Sequence, residues 1–396
     1  MGKKAVIEGS MAIAIAVKQA RPHVISAYPI TPQTHIMEFL ADFVANGELK
    51  TEYLRVDSEF SAASVAQGAV AAGSRAYTAS ASQGLLLMTE VLYNVAGMRL
   101  PMVLTGVNRS VGTPVNIQPD HQDTVLFRDT GMIQLYVEDA QEAYDAHVQA
   151  FRIAEDRDVL LPVLVCVDGW TISHTFEPVE VEEQEKIDAF LPPYKPLYHL
   201  DPKKPYTFGS ISIDKDLMEF RYLHEEAIQG AKAKIEAIAR EFEKTFGRYY
   251  GGLTQSYKTE DADIVFVAMG SIIGTLKEAV DELRAQGKKV GVLKVRSYRP
   301  FPVEEIRAAL ANAKVACVID RAISIGFGAG PLTIDTQAAL YGPNAPQVLP
   351  FYAGLGGKDV ELKHVAEMVA KAEKAAAGEA VSAEPEYVNI NWNLVS

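Results

Sequence analysis

Short apolar runs alternate with longer segments of helical periodicity through residues 1–180. The apolar runs predict strands over residues 23–27, 54–56, 75–79, 101–106 and 162–167. The periodic segments between them predict helices over residues 8–21, 34–46, 58–73, 83–95 and 141–156. Continuous Val/Ile/Leu strands that alternate with helices are typical of a parallel sheet covered on both faces. The pattern therefore predicts a doubly wound α/β domain.

The pattern changes after residue 180. Charged residues and prolines over 177–215 predict an extended connection that wraps the surface or a partner. The periodic segment 216–246 predicts a long helix that completes a linking region, 181–255. A second α/β domain is predicted over 256–375, and residues 376–396 are predicted to be a tail that packs on a partner subunit. The strands predicted in the second domain are 264–269, 289–295 and 315–320, and its helices are 275–286 and 303–311.

Composition narrows the class of protein. The chain has 396 residues, 48% of them hydrophobic, and a mean hydropathy near zero, as in ordinary globular proteins. Its formal charge of −13 opposes binding to negatively charged nucleic acids. No apolar stretch is long enough to cross a bilayer, and the first residues lack the pattern of a secretory signal. We therefore expect a cytoplasmic protein that binds neither nucleic acid nor membranes.

The cysteines bear on electron transfer. The chain has two, Cys166 and Cys317, and each lies inside an apolar run, which indicates a buried thiol. An iron–sulfur cluster is usually held by about four thiolates. Any cluster that works with this chain must therefore lie on another polypeptide.

The most distinctive motif is Tyr28-Pro29-Ile30-Thr31-Pro32, which directly follows the first predicted strand. Each proline fixes its own φ and restricts the residue before it, so the segment 28–32 (the proline turn) should be stiff. A hydroxyl held there loses little freedom when it meets a ligand. A rigid strand-to-helix turn without a ligand is the alternative.

Two charged residues stand at similar junctions. Glu59 falls in the first turn of a predicted helix, where a carboxylate complements the helix dipole and needs no further explanation. Arg109 follows a predicted buried strand, at the edge of an open α/β sheet where ligands bind. The planar arginine guanidinium matches the geometry of a carboxylate, although the same sequence is also compatible with a solvated loop arginine.

Three further motifs have a structural and a chemical interpretation. Asp120, His121 and Asp123 are residue types that can bind a metal, but a hydrogen-bonded loop is the favoured interpretation. No metal ligands are predicted on this chain. His174 is interpreted as a turn histidine rather than a catalytic one. The glycines of 326–330 have Gly-x-Gly-x-Gly spacing, which does not match the dinucleotide fingerprint.

Taken together, the proline turn, the Asp57-Ser58-Glu59 motif, the segment 82–88 and Asn108-Arg109 resemble the α subunit of the 2-oxoacid:ferredoxin oxidoreductase family. The resemblance implies a thiamine-diphosphate-enzyme pyrimidine-binding domain followed by a transketolase C-terminal-like domain. It also implies that Glu59 hydrogen-bonds the aminopyrimidine of the cofactor as the catalytic residue. Its other implied site residues are Thr31 and Arg109 for the substrate carboxylate, Ile30 and Gln83 for the cofactor, and Tyr28, Asn108, Asn116, Asp120 and His121 in supporting positions.

The resemblance further implies a multi-subunit enzyme that converts pyruvate or a related 2-oxoacid, with coenzyme A, reversibly to acyl-CoA and CO₂. The chain lacks the Gly-Asp-Gly motif that holds Mg²⁺-diphosphate, so a β subunit is expected to carry thiamine diphosphate, Mg²⁺ and a [4Fe-4S] cluster. Further γ and δ subunits would bring ferredoxin-type clusters and pass electrons to external ferredoxin, in a dimer of heteromers.

Two departures from the family pattern keep alternatives open. Gln33 stands where serine is common, and the run after Arg109 is Ser110-Val-Gly-Thr113. A relative specific for oxalate or branched-chain acids is therefore one alternative. A non-redox thiamine-diphosphate enzyme and a catalytically silent assembly subunit are the others.

Overall fold

The computed structural model describes residues 2–213 and 216–395. Within them, the strands are, in chain order, β1 (Lys3–Glu8), β2 (Val24–Ala27), β3 (Glu52–Arg55), β4 (Ala76–Ser80), β5 (Val103–Asn108), β6 (Ile133–Tyr136), β7 (Val163–Asp168), β8 (Phe176–Val181), β9 (Thr254–Tyr257), β10 (Ile264–Ala268), β11 (Val290–Val295), β12 (Ser297–Arg299), β13 (Val315–Asp320), β14 (Gln347–Tyr352) and β15 (Glu386–Tyr387). The helices are α1 (Gly9–Ala20), α2 (Thr34–Ala45), α3 (Glu59–Ala71), α4 (Ser82–Gly97), α5 (Gln122–Val125), α6 (Ala140–Ala154), α7 (Gln184–Phe190), α8 (Leu217–Phe246), α9 (Ile272–Ala285), α10 (Val303–Ala309), α11 (Pro331–Leu340) and α12 (Leu362–Ala376). In this part of the chain, no helix has the length and apolar character needed to cross a membrane.

The first sheet has the strand order β12-β6-β7-β5-β4-β2-β3, and all neighbours run parallel except β12 and β6. Helices cover both faces. On β5, Val103 and Val107 face a core shared with α1 and α6, whereas Leu104 faces a core shared with α3 and α4. The predicted parallel α/β domain is confirmed.

A second sheet has the order β15-β14-β13-β10-β11-β9, and only β9 in it is antiparallel to its neighbour. The predicted strands of this region correspond to β10, β11 and β13 within one or two residues. A separate antiparallel ribbon joins β1 to β8 over the full length of both strands.

The prediction of an extended connection over 177–215 is wrong in its first part, which contains most of β8 and all of α7. Charged Glu177 and Glu180 alternate with apolar Val179 and Val181 in β8, so the segment lacks the continuous apolar run by which the other strands were recognised. The strand forms because β1 supplies its partner. Residues 214 and 215, at the end of the predicted connection, lie outside the described residues.

The two sheets are tied together by strand β12. It lies between β11 and α10 in the chain, yet it pairs with β6 of the first sheet. Around it, Tyr136 from the first sheet and Leu293 from the second belong to the same buried cluster as Tyr298 of β12. The division of the chain at residue 256 stays a prediction, and β12 crosses it.

Buried ion pairs add to this connection. The Glu142 carboxylate of α6 accepts hydrogen bonds from Lys294 Nζ at 2.5 Å and Arg296 Nε at 3.1 Å, and all three side chains are almost fully buried. Because buried charges are costly unless they are paired, these contacts fix one relative position of the sheets. The position of the first sheet relative to the second is thus fixed near β6 and β12.

Candidate cofactor and substrate site

The predicted site residues meet at the carboxyl ends of four neighbouring parallel strands, β5, β4, β2 and β3. The proline turn follows β2 and Glu59 follows β3. Gln83 lies just beyond β4, and Asn108 with Arg109 ends β5. In an open α/β sheet this edge is where ligands bind, since helix N-termini and loops converge there.

The proline turn is held by Gln33. The Gln33 N–H donates to the Ile30 carbonyl at 2.7 Å, and the Ile30 N–H donates to Gln33 Oε1 at 3.2 Å. The amide Nε2 of Gln33 then donates to the Ala79 carbonyl on β4 at 2.9 Å. Gln33 is fully buried, which leaves Thr31 exposed at the tip and Tyr28 and Ile30 half-buried. The departure noted in the sequence therefore has a structural role.

Arg109 bridges the proline turn and helix α4. Its Nη1 donates to the backbone carbonyl of Thr31 at 2.8 Å, and its Nη2 donates to Gln83 Oε1 at 3.3 Å. Its Nε–H is buried without a partner in the described part of the chain. The guanidinium is thus positioned beside Thr31 with N–H groups still available for a carboxylate.

Glu59 is the first residue of α3, whose N-cap Ser58 accepts a hydrogen bond from the Ser61 N–H at 3.1 Å. Glu59 is only 7% exposed, and its carboxylate has no hydrogen-bond partner among residues 2–213 and 216–395. The Ser80 hydroxyl, at the end of β4, is also buried and unpartnered there. Buried polar groups are normally paired, so the Ser80 hydroxyl is suited to bind a ligand, as is the Glu59 carboxylate beside it.

Gly84 creates the space that these two groups share. A Cβ at this position would lie 2.6 Å from Glu59 Oε1 and 2.5 Å from Ser80 Oγ. Both distances are far shorter than normal contact, so only glycine lets α4 approach the carboxylate. An aminopyrimidine offers hydrogen-bond donors and acceptors on one flat edge. Glu59 and Ser80 beside the Gly84 backbone therefore fit the pyrimidine half of thiamine diphosphate.

Asp123 ties the ends of β4 and β5 together. Its fully buried carboxylate accepts hydrogen bonds from the Ser82 N–H at 2.9 Å, the Arg109 N–H at 3.0 Å and Asn108 Nδ2 at 2.8 Å. Burial raises the pKa of Asp123 to about 7, against the lowering effect of these hydrogen bonds. From the sequence, Asp123 is recognisable only as part of its own loop, because nothing in the sequence indicates which distant N–H groups its carboxylate meets.

The other loop residues face the second sheet. Asp120 accepts hydrogen bonds from Ser110 Oγ at 2.7 Å and from the Gly356 N–H at 3.2 Å, and Asn116 Nδ2 donates to the Gly356 carbonyl at 3.0 Å. His121 Nε2 lies 2.8 Å from Asp168 Oδ1. Within the described residues, Asp120, His121 and Asp123 do not converge on a common point, so the alternative metal site is not formed.

Asp168 is the centre of a buried ion cluster between the sheets. It accepts from Arg321 Nη1 at 2.5 Å and from the Ser271 N–H at 2.8 Å, besides its contact with His121. Burial alone would raise the pKa of Asp168, but the charges of Arg321 and His121 outweigh it and hold this pKa well below its usual range. The loop that carries Arg109 is thereby anchored at its far end.

Two remaining motifs lie apart from these contacts. His174 contacts the Ser173 hydroxyl and stacks between His35 and Trp170. The segment 326–330 leads directly into α11. At the N-terminus of that helix, the Asp320 carboxylate accepts hydrogen bonds from the Leu332 and Thr333 N–H groups. That carboxylate takes the place that a dinucleotide phosphate would need.

Comparison with known proteins identifies relatives over almost the whole chain. Residues 15–240 match the family model described as pyruvate flavodoxin/ferredoxin oxidoreductase, thiamine diphosphate-binding, and residues 262–365 match pyruvate:ferredoxin oxidoreductase core domain II. The pyruvate synthase subunit PorA of Methanosarcina barkeri is 49% identical over 99% of this chain and 98% of its own length. PorA of Pyrococcus furiosus is 46% identical over 98% of each chain, and the ketoisovalerate oxidoreductase subunit VorA of Pyrococcus abyssi is 44% identical over 93% and 94%.

Solved structures show the same fold at low identity. A 2-oxoglutarate:ferredoxin oxidoreductase from Magnetococcus marinus has a TM-score of 0.72 at 18% identity, over 95% of this chain and 66% of that one. A split-gene transketolase has a TM-score of 0.56 at 14% identity, over 95% of this chain and 100% of its own. The fold class inferred from the sequence is confirmed.

Proposed function

This chain belongs to the pyruvate flavodoxin/ferredoxin oxidoreductase family, and from that premise we propose that it is the α subunit of an enzyme that decarboxylates pyruvate oxidatively to acetyl-CoA. The observation that carries the proposal is the buried Glu59 carboxylate, which has no partner in the described residues and lies beside Gly84. Pyruvate is the first choice of substrate, since the PorA relatives of Methanosarcina barkeri and Methanothermobacter thermautotrophicus are 49% and 48% identical to this chain.

Thiamine diphosphate, when bound, supplies the nucleophilic carbon and the electron sink for decarboxylation. Glu59, which is only 7% exposed, accepts a hydrogen bond from the pyrimidine ring, and such a bond is stronger where solvent access is low. Ser80 provides a second buried polar group at the same place. This chain's task is therefore to hold and polarise one half of the cofactor.

Arg109 and Thr31 bind the substrate carboxylate in this proposal. The contacts of the guanidinium with Thr31 and Gln83 fix its orientation before substrate arrives. Because the turn adds a hydroxyl rather than a second positive charge, we expect a monocarboxylate to be preferred over a dianion such as oxalate. The branched acid named for the VorA relative is the second candidate.

The chain is one subunit of a multi-subunit oxidoreductase. We propose that a β subunit supplies Mg²⁺-diphosphate and a cluster, that γ and δ subunits carry ferredoxin-type clusters, and that the whole forms a dimer of heteromers. Two observations support this: the chain has no Gly-Asp-Gly motif, and its two cysteines are buried and separate. The cytoplasmic location stays a prediction.

The test is Glu59→Gln in the reconstituted complex. We expect near-complete loss of pyruvate-dependent viologen reduction with unchanged subunit assembly, because the amide cannot polarise the pyrimidine as the carboxylate does. Glu260→Gln, at an exposed turn before β10, is the matched control and should keep full activity. Activity retained by Glu59→Gln would contradict the proposal. A panel of pyruvate, 2-oxoisovalerate and oxalate, each with and without coenzyme A, would settle the substrate.

A further inference from the structure

Glu8, His35 and His174 meet on the first domain, although they are far apart in the chain. Glu8 ends β1, His35 lies in the first turn of α2, and His174 lies in the turn after β7. Each offers one ligand atom, and these atoms all lie within 4.8 Å of one another. In the described parts of the chain, no other set of three His, Cys, Asp or Glu side chains comes together in this way.

We propose that Glu8, His35 and His174 bind a divalent transition-metal ion of the Zn²⁺ class, with one coordination position open to solvent. Two imidazoles and one carboxylate are a ligand set that suits such an ion. The Glu8 side chain is 11% exposed and the His35 side chain 42% exposed, so the group is buried on one side and open to solvent on the other.

The contacts of His174 support a ligand role. Its Nδ1 lies 2.7 Å from Ser173 Oγ, and that oxygen accepts a hydrogen bond from the Trp170 N–H at 2.8 Å. Metal-bound histidines are typically oriented by such a contact at the other ring nitrogen. Nε2 of His174 has no hydrogen-bond partner in the described residues, and it is therefore left for the ion.

The competing explanation is an ion pair next to a ring stack. Glu8 Oε1 lies 2.7 Å from His35 Nδ1, and the rings of His35 and His174 are 4.5 Å apart between centroids. This leaves the second oxygen of Glu8 and Nε2 of His174 unexplained. Tetrahedral ligands about 2 Å from Zn²⁺ lie roughly 3.3 Å apart, so on binding the contact between Glu8 Oε1 and His35 Nδ1 would lengthen slightly, through small rotations of the two rings.

The location indicates what the ion would do. Its ligands come from the ribbon, from helix α2 and from the turn after β7, and His35 follows the proline turn by only a few residues. A bound ion would therefore fasten the ribbon to the helix that begins at the proline turn. This role is independent of the proposed catalytic function, because none of the three residues contacts Glu59 or Arg109 within the described residues.

Trp170 provides a local probe. The chain has two tryptophans, and the Trp170 ring lies 4.3 Å from the His174 ring between centroids. We would use full-length, metal-stripped chain carrying Trp392→Phe, so that Trp170 is the remaining fluorophore. Titration with Co²⁺ should quench its emission saturably at one ion per chain, and Zn²⁺ should restore the emission by competition.

Glu8→Gln, His35→Asn and His174→Asn should each weaken Co²⁺ binding at least tenfold, as measured by quenching and by equilibrium dialysis. His199→Asn, on the linking segment, is the histidine control and should bind as the parent does. Circular dichroism checks that each variant is folded. If His174→Asn does not fold, Glu8→Gln and His35→Asn still test the proposal. Unchanged stoichiometry and affinity in the cluster variants, or no quenching in the parent, would overturn the proposal.

Discussion

At the scale of single residues, Gly84 sets the distance between α4 and Glu59. A methyl group there cannot coexist with the observed positions of the Glu59 carboxylate and the Ser80 hydroxyl. We expect Gly84→Ala to raise the apparent dissociation constant for thiamine diphosphate at least tenfold in the complex, measured by activity against cofactor concentration. Gly97→Ala, in the same helix with no heavy atom within 4 Å of its added Cβ, should leave it unchanged. Equal constants for both variants would show that the cofactor does not use this space.

Asp123 leads to a pH prediction at the same scale. Its pKa of about 7 exceeds the ordinary value of 3.8, so the folded chain holds this proton more tightly and its contribution to stability decreases as pH rises from about 4 to about 7. The ionised form is the better acceptor for the Arg109 N–H. We therefore expect the KM for the 2-oxoacid to rise as pH falls below about 7.

Asp123→Asn should abolish this pH dependence and keep the KM high throughout, since the amide replaces one acceptor by a donor. Exposed Asp129, changed to Asn, should keep the parental profile. Profiles of kcat/KM against pH make the comparison. If Asp123→Asn kept the parental pH profile, the pH dependence of the KM would have to come from another group.

Single residues could be selected from the sequence where the chemistry is local. Glu59, Thr31 and Arg109 were selected from motifs, and the structure places all three at the same sheet edge. The positions of Ser80, Gly84 and Asp123 could not be assigned, because their roles depend on approaches between strands that are distant in the sequence. The catalytic role of Glu59 and the binding roles of Thr31 and Arg109 remain predictions.

At the scale of elements, the proline turn depends on one buried amide. The Gln33 side chain accepts a hydrogen bond from the Ile30 N–H and donates one to the Ala79 carbonyl. Removing the amide leaves buried groups unpaired, so Gln33→Ala should lower the free energy of unfolding by about 2 kcal/mol and raise the KM. Urea unfolding and steady-state kinetics measure the two effects, with exposed Gln286→Ala as the control. Lower stability with an unchanged KM would mean that the turn does not position the substrate.

Elements were predictable where they are apolar throughout. Strands β4, β5, β7 and β10 are buried on both faces, and their Val, Leu and Ala residues mark them in the sequence. Strand β6 was missed, since it is short and contains Gln134. The ribbon was missed because β1 begins with exposed lysines, and β12 because its pairing partner lies in the other sheet.

At the scale of the whole molecule, Arg321 and Asp168 join the two sheets through a buried ion pair. Arg321→Met would leave the Asp168 charge poorly compensated, so we expect the free energy of unfolding to fall by about 3–5 kcal/mol. Arg21→Met, which breaks an exposed pair with Asp188, should cost less than about 1 kcal/mol. Denaturant unfolding at pH 7 measures both.

The pH dependence of this difference has a defined sign. The pKa of Asp168 is depressed in the folded chain, so its stabilising effect is present above the ordinary value and decreases as pH falls below about 4. The stability difference between parent and Arg321→Met should therefore shrink in acid. A constant difference across this range would mean that Arg321 acts through packing rather than charge.

Strand β12 has one more consequence, for a chain that has been cut. Residues 202–213 are mostly exposed, and a protease that cleaves there would separate the backbone into two pieces. Strand β12 of the second piece would still pair with β6 at the edge of the first sheet, with Tyr298 buried and Arg296 paired to Glu142. The two pieces would remain associated without a peptide bond between them. The same complex would form if two genes encoded the two pieces separately.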